Sequence, residues 1–151
     1  MLGLCLATAL ILANANMRTE NRSLVVYEVG GASICSSATA LAKNFAVSLS
    51  TDTPAKGENV TTTFDFDLDA PVVDGTASYS ATLNGFGPYT SHADLCVEVA
   101  KSGDPCPLAA GHHHQVSTAE STVSGKVVTT ITWRDAAGAE ILCTQITTKT
   151  I

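Results

Sequence analysis

Two groups of residues have types and spacings that could do chemistry. One is the run His112-His113-His114; the other is the alternation Asp65, Asp67, Asp69. Imidazole is a common metal ligand, and alternate residues of a strand point the same way, so His112 and His114 would share a face. No third ligand lies near them in sequence, and the remaining histidine, His92, falls in another segment. The expectation is therefore no metal site. The three aspartates resemble the opening of a calcium loop. Ala70 stands where that loop needs glycine, however, and the bidentate glutamate is missing, so they read as a solvated strand face. There is no Gly-x-Ser-x-Gly elbow, no His-Glu-x-x-His and no phosphate loop. No enzyme is expected, and a metal-dependent sandwich enzyme built on the histidines ranks last among the functional readings.

The elements that must position these residues belong to a chain of 151 residues, 45% hydrophobic and 15% charged, the size of one domain. A formal net charge of -6 argues against a nucleic-acid binder, which would concentrate Lys and Arg. The charge is too dilute and the apolar content too high for a disordered tail. No internal apolar run reaches the roughly 20 residues of a membrane-spanning helix. Leu2 to Leu12 form an apolar stretch followed by Ala13-Asn14-Ala15, a small-x-small pattern, so residues 1–15 are expected to be a signal peptide cleaved after Ala15, leaving a domain of 16–151. Cys5 leaves with the leader. Cys35, Cys96, Cys106 and Cys143 remain, an even number that reads as disulfides in a secreted chain and allows three connectivities. Without a Cys-x-x-Cys pair they fit neither a zinc knuckle nor a thioredoxin-type motif. Asn21 and Asn59 each open an N-glycosylation sequon, in keeping with secretion.

Hydrophobic periodicity is of two. Phe64, Phe66 and Leu68 alternate with the three aspartates, which describes a strand with one buried face. Similar strands are expected at Leu24 to Val29, Asn44 to Ser50, Thr76 to Asn84, His112 to Thr118, Lys126 to Arg134 and Glu140 to Thr148. Short helical segments are expected at Ala38 to Lys43 and Leu95 to Lys101. About seven strands make an all-β, two-sheet sandwich. Trp133 follows Cys35 and Cys96, which is the wrong order for an antibody-type domain. Alternation turns Phe64, Phe66 and Leu68 between the sheets, with Tyr79, Ala81 and Leu83 on the next strand and Val127, Ile131 and Trp133 facing them. The segment Gly85-Phe86-Gly87-Pro88-Tyr89, with two aromatics and a permissive backbone, is expected to be a loop at a pocket mouth, with Leu108 and Val116 on the opposite rim. With much of the apolar content in Ala and Val, such a sandwich either packs tightly or houses a ligand; composition leaves both open.

Asp94-Leu95-Cys96, Cys106-Pro107-Leu108 with Gly111, Trp133-Arg134-Asp135 with Gly138, and Ile141-Leu142-Cys143 resemble, in order and spacing, the ML-domain lipid-recognition family. Ile34-Cys35 and Pro54-x-Lys56-Gly57 before Asn59-Val60-Thr61 extend the likeness into the first half. The resemblance implies an immunoglobulin-like sandwich with a lipid between its sheets and bridges Cys35–Cys143 and Cys96–Cys106. It implies a sterol or phospholipid ligand and no other cofactor. The matching functional expectation is a secreted or endolysosomal carrier, monomeric, in transient contact with membranes and handing lipid to a membrane-protein acceptor. The alternative is an accessory protein that presents lipid to a receptor or a lysosomal hydrolase.

Overall fold

The computed structural model describes residues 31–151. The expected leader, the sequon at Asn21 and the strand at Leu24 to Val29 lie outside the described residues. Eight strands and one helix follow: β1 Ala32–Ile34, β2 Ala42–Leu49, β3 Asn59–Leu68, β4 Gly75–Leu83, β5 Phe86–Asp94, α1 Leu95–Ala100, β6 Gly111–Glu120, β7 Gly125–Asp135 and β8 Glu140–Thr150. They form a five-stranded sheet of order β1-β8-β7-β4-β5 and a three-stranded sheet of order β2-β3-β6, every pairing antiparallel. The all-β sandwich expected from the period-two pattern is the observed architecture.

β3 shows why these residues form these elements. Its β-branched and aromatic residues suit a pleated strand, and Phe64, Phe66 and Leu68 are buried while Asp65 and Asp67 face outward. Phe66 meets Trp133 edge to face at 6.0 Å, Phe64 meets the same indole at 5.7 Å, and Phe45 of β2 closes on both phenylalanines. Ala77, Leu142, Leu95, Val99, Leu108 and Val72 complete this core, which closes one end of the sandwich. An isolated bridge between Val72 and Leu108 seals it.

Two local expectations need correction. The segment Gly85 to Tyr89 is not a loop: Asn84 and Gly85 alone make the turn, at φ 51° and 84°, and β5 begins at Phe86. An Asn-Gly pair accepts two successive positive φ values, and the side chain of Asn84 reinforces the turn by accepting the Lys126 N–H at 2.9 Å. Pro88 interrupts no ladder because β5 is the outer strand of its sheet. The Ala38 to Lys43 segment is a turn, Ala40 N–H to Ser37 O at 3.1 Å, running straight into β2. The expected helix at Leu95 is present, its first turn capped by Asp94 through the Val97 N–H at 3.1 Å.

The cysteines pair as Cys35–Cys143 and Cys96–Cys106. The first ties the chain leaving β1 to β8; the second ties α1 to the segment leading toward β6.

Candidate functional site

Register decides which side chains share the space between the sheets. On the five-stranded sheet, Ala77, Tyr79, Ala81 and Leu83 of β4 lie beside Trp133, Ile131, Thr129 and Val127 of β7. On the other sheet, Phe64 lies beside Gln115, Phe66 beside His113 and Thr62 beside Ser117. Burial along these rows is graded. Ala77, Trp133, Phe64, Phe66 and Leu68 are sealed, whereas Tyr79, Ala81, Leu83, Val127, Thr129, Ile131, Val60 and Thr62 are only half-buried. In a fully packed sandwich the inward row of a central strand is sealed throughout. Toward Leu83 and Val127 the inner faces are instead partly open to solvent.

At the inner end of this cleft is a cavity of about 70 Å³ lined by Thr62, Phe64, Tyr79, Glu98, Ser102, Gln115, Ser117, Ile131 and Trp133. Ligand pockets usually start near 300 Å³, so the enclosed part alone holds only a fragment of a lipid, and a whole one must extend along the open cleft. The buried indole N–H of Trp133 has no acceptor among the described residues.

One edge of the cleft is crossed by α1 and the turn after it, which are bonded to both sheets. The Tyr79 hydroxyl donates to Glu98 Oε2 at 3.0 Å, and Lys101 Nζ holds the other oxygen at 2.6 Å. Ser102 Oγ donates to Val116 O at 2.8 Å and accepts its N–H at 3.2 Å, occupying the free edge of β6. Asp104 binds His113 Nδ1 at 3.2 Å and accepts from Gln115. His113 is stacked on Phe66 at 5.2 Å, and its Nε2 lies 2.7 Å from Ala109 O. The Cys96–Cys106 bridge closes this strap on itself.

Of the residues expected to line a pocket, Phe64, Tyr79, Ile131 and Trp133 border the cavity, and Leu83 and Val127 lie farther out on the same inward rows. Phe66 and Leu68 belong to the closed core. Phe86 and Tyr89, paired with Leu83 and Ala81, project from the outer strand on the cleft side, 74% and 65% exposed. Leu108 and Val116 do not form the opposite rim. Leu108 is buried at the closed end, and Val116 alternates with the inward Gln115 and Ser117 and so faces the other way. The polar lining of Thr62, Glu98, Ser102, Gln115 and Ser117 escaped the sequence reading. Thr62, two residues before Phe64, and Gln115 and Ser117, at strand spacing from His113, carried a usable signal; Glu98 and Ser102 did not.

Burial, and then the bond to the Glu98 carboxylate, push the Tyr79 phenol well above its ordinary pKa of 10.0. The folded chain thus keeps a proton that the unfolded chain releases above pH 10. The stability this contributes is present below pH 10 and is lost as pH rises beyond it. Thermal midpoints measured from pH 8 to 11 should fall less steeply for Tyr79→Phe than for the unaltered chain; equal slopes would show that the phenol is not held protonated.

Residues 32–150 match the family model of the ML domain. No curated protein matches the chain by sequence at a significant level. Among solved structures, the fold is similar to a Niemann-Pick type C2 protein from the Japanese carpenter ant, at 14% identity and a TM-score of 0.58, covering 78% of this chain and 97% of that one. It is also similar to chicken MD-1 complexed with lipid IVa, at 15% identity and a TM-score of 0.55, covering 83% and 94%. With 32–150 matched and a sandwich of this kind, two bridges included, the chain belongs to the ML-domain family.

Proposed function

We propose that this protein binds a lipid, a sterol or phospholipid, in the cleft between its sheets and carries it through water between membranes in a secreted or endolysosomal compartment. The observation that carries this reading is the graded burial of the inward rows: Tyr79, Ala81, Leu83, Val127 and Ile131 face the other sheet yet stay open to solvent. Leaving that apolar surface wet costs about 25 cal/mol per Å², which a lipid's hydrocarbon would recover. The unpartnered Trp133 N–H offers a donor to one polar group of the ligand at the inner end. The solved structure of chicken MD-1 complexed with lipid IVa, a protein of similar fold, supports the reading. Phe86 and Tyr89, exposed beside the mouth, suit brief contact with a bilayer surface. The role is carriage, with no bond made or broken. Among the described residues no helix is long and apolar enough to cross a membrane.

Uptake of a fluorescent sterol and of a fluorescent phosphatidylglycerol, with mass spectrometry of co-purifying lipid, tests the proposal. Thr62→Trp fills the cavity from a half-buried position. It should cut uptake of the preferred probe about tenfold or more while moving the thermal midpoint by no more than a few degrees. Phe86→Ala should slow transfer between vesicles without reducing loading. If the unaltered folded chain carries no lipid and takes up neither probe, the reading fails.

A further inference from the structure

The three consecutive histidines of β6 divide by strand alternation. His113 points inward onto Phe66, while His112 and His114 point to solvent from the outer face, 63% and 59% exposed. The pairing of β3 with β6 sets Asp65 directly opposite His114 and Asp67 directly opposite His112. Two residues one apart on a strand stand about 6.8 Å from each other, the spacing at which both can reach one ion. The third ligand that the sequence does not offer near these histidines is thus supplied by the neighbouring strand.

The contacts are graded in a way that assigns roles. Asp65 Oδ1 lies 2.6 Å from His114 Nδ1 and 3.7 Å from His112 Nε2, so one carboxylate oxygen serves both rings. A tetrahedral zinc site with arms of 2.0–2.1 Å has ligand-to-ligand edges of about 3.3 Å; the two edges to Asp65 bracket this length, and the two imidazole nitrogens, farther apart, must swing toward each other to close the third. The other nitrogen of His112, Nδ1, lies 2.9 Å from Asp67 Oδ1. Asn44 Nδ2 donates to the second oxygen of Asp67 at 2.7 Å. This chain of Asn44, Asp67 and His112 resembles the carboxylate–histidine arrangement that fixes the tautomer of a metal-bound imidazole and leaves its far nitrogen free to coordinate. Asn44 reaches Asp67 from a bulge in β2 and at φ 52°, a conformation asparagine tolerates better than most residues.

We propose that His112 Nε2, His114 Nδ1 and Asp65 Oδ1 form a three-ligand site for a zinc-class divalent cation on the outer face of the three-stranded sheet. Asp67, held by Asn44, positions His112. Two imidazoles with one carboxylate favour Zn²⁺ or Cu²⁺ over Mg²⁺ and Ca²⁺, which prefer oxygen throughout. Capture requires the two rings to pivot about the Asp65 oxygen, and their exposure leaves room for it. Three protein ligands leave the fourth position of the tetrahedron to water or to an incoming anionic group. The site lies on the opposite face of β3 from Phe64 and Phe66, so it stands independently of lipid binding.

The test is a Zn²⁺ titration against a chromophoric chelator, on the chain purified without a polyhistidine tag. One Zn²⁺ per chain is expected, displaced by neither Mg²⁺ nor Ca²⁺. His112→Gln and His114→Gln should each abolish tight binding, and Asp67→Asn should weaken it about tenfold or more while leaving the stoichiometry unchanged. His92→Gln, on the other sheet beside Ser78, should bind as the unaltered chain does. His92, His112 and His114 are exposed and Asp67 is half-buried with its carboxylate on the outer face, and circular dichroism checks that each variant is folded. No binding at micromolar Zn²⁺, or unchanged affinity in the His112→Gln/His114→Gln double variant, would overturn the proposal.

Discussion

Phe66→Ala is expected to lower the free energy of unfolding by about 3–5 kcal/mol, the cost typical of truncating a sealed aromatic. Phe66 is fully buried and packs against three rings, those of Phe45, Trp133 and the stacked His113. Its loss would open a void at the closed end, where both sheets and the Asp104 anchor of His113 meet. Urea denaturation measures the effect directly. Phe86→Ala is the comparison, since its side chain is three-quarters exposed and surface changes usually stay within about 0.5 kcal/mol. A loss under about 1 kcal/mol for Phe66→Ala would mean that the sheets close over the void, and that the core is far more pliable than its packing indicates.

Removing the Cys35–Cys143 bridge, by replacing both cysteines with alanine, is expected to have the second largest effect. The bridge spans a sequence separation of 108, for which loop-closure entropy in the unfolded chain gives about 4.7 kcal/mol. The Cys96–Cys106 bridge spans 10, for which the same reasoning gives under about 3 kcal/mol. The native contacts reinforce the order. Cys35 N–H already bonds Cys143 O at 3.0 Å, and Ser36 Oγ accepts the Cys143 N–H at 2.7 Å, so the bridge holds groups the fold has aligned and introduces little distortion. The two paired variants, compared by guanidinium denaturation, should keep this order. If the short bridge matters more for stability, the stabilisation is not chiefly entropic and the strap of α1 is part of the folding core. In either case its loss should affect lipid retention more than loss of the long bridge, because α1 and Ser102 stand across the cleft edge.

What the sequence by itself determined about this protein is whatever depends on neighbours along the chain. The alternation of Phe64, Phe66 and Leu68 with aspartates defines a strand and its buried face, because a strand's side chains alternate whatever lies opposite. The short helix expected at Leu95 to Lys101 forms over Leu95–Ala100. The Asn84-Gly85 pair carried a hairpin signal as well. It was masked by Gly87 and Pro88, which read as loop until β5 is known to be an outer strand that needs no N–H from Pro88. The order of cysteines, Trp133 and Gly138 carried the family and, through it, the bridges.

Only the tertiary structure decided what depends on which strands meet and in what register. Val116 and Leu108 look equally suited to a pocket rim, yet one faces outward and the other is sealed by Val72. Glu98 enters the cavity wall because α1 crosses the gap and meets Tyr79, a partner 19 residues away that no local pattern announces. The histidines and aspartates stand 45 to 49 residues apart and read separately as solvated strand faces. They become one constellation because the ladder between β3 and β6 sets them opposite, and a shift of one residue would turn either set to the other face.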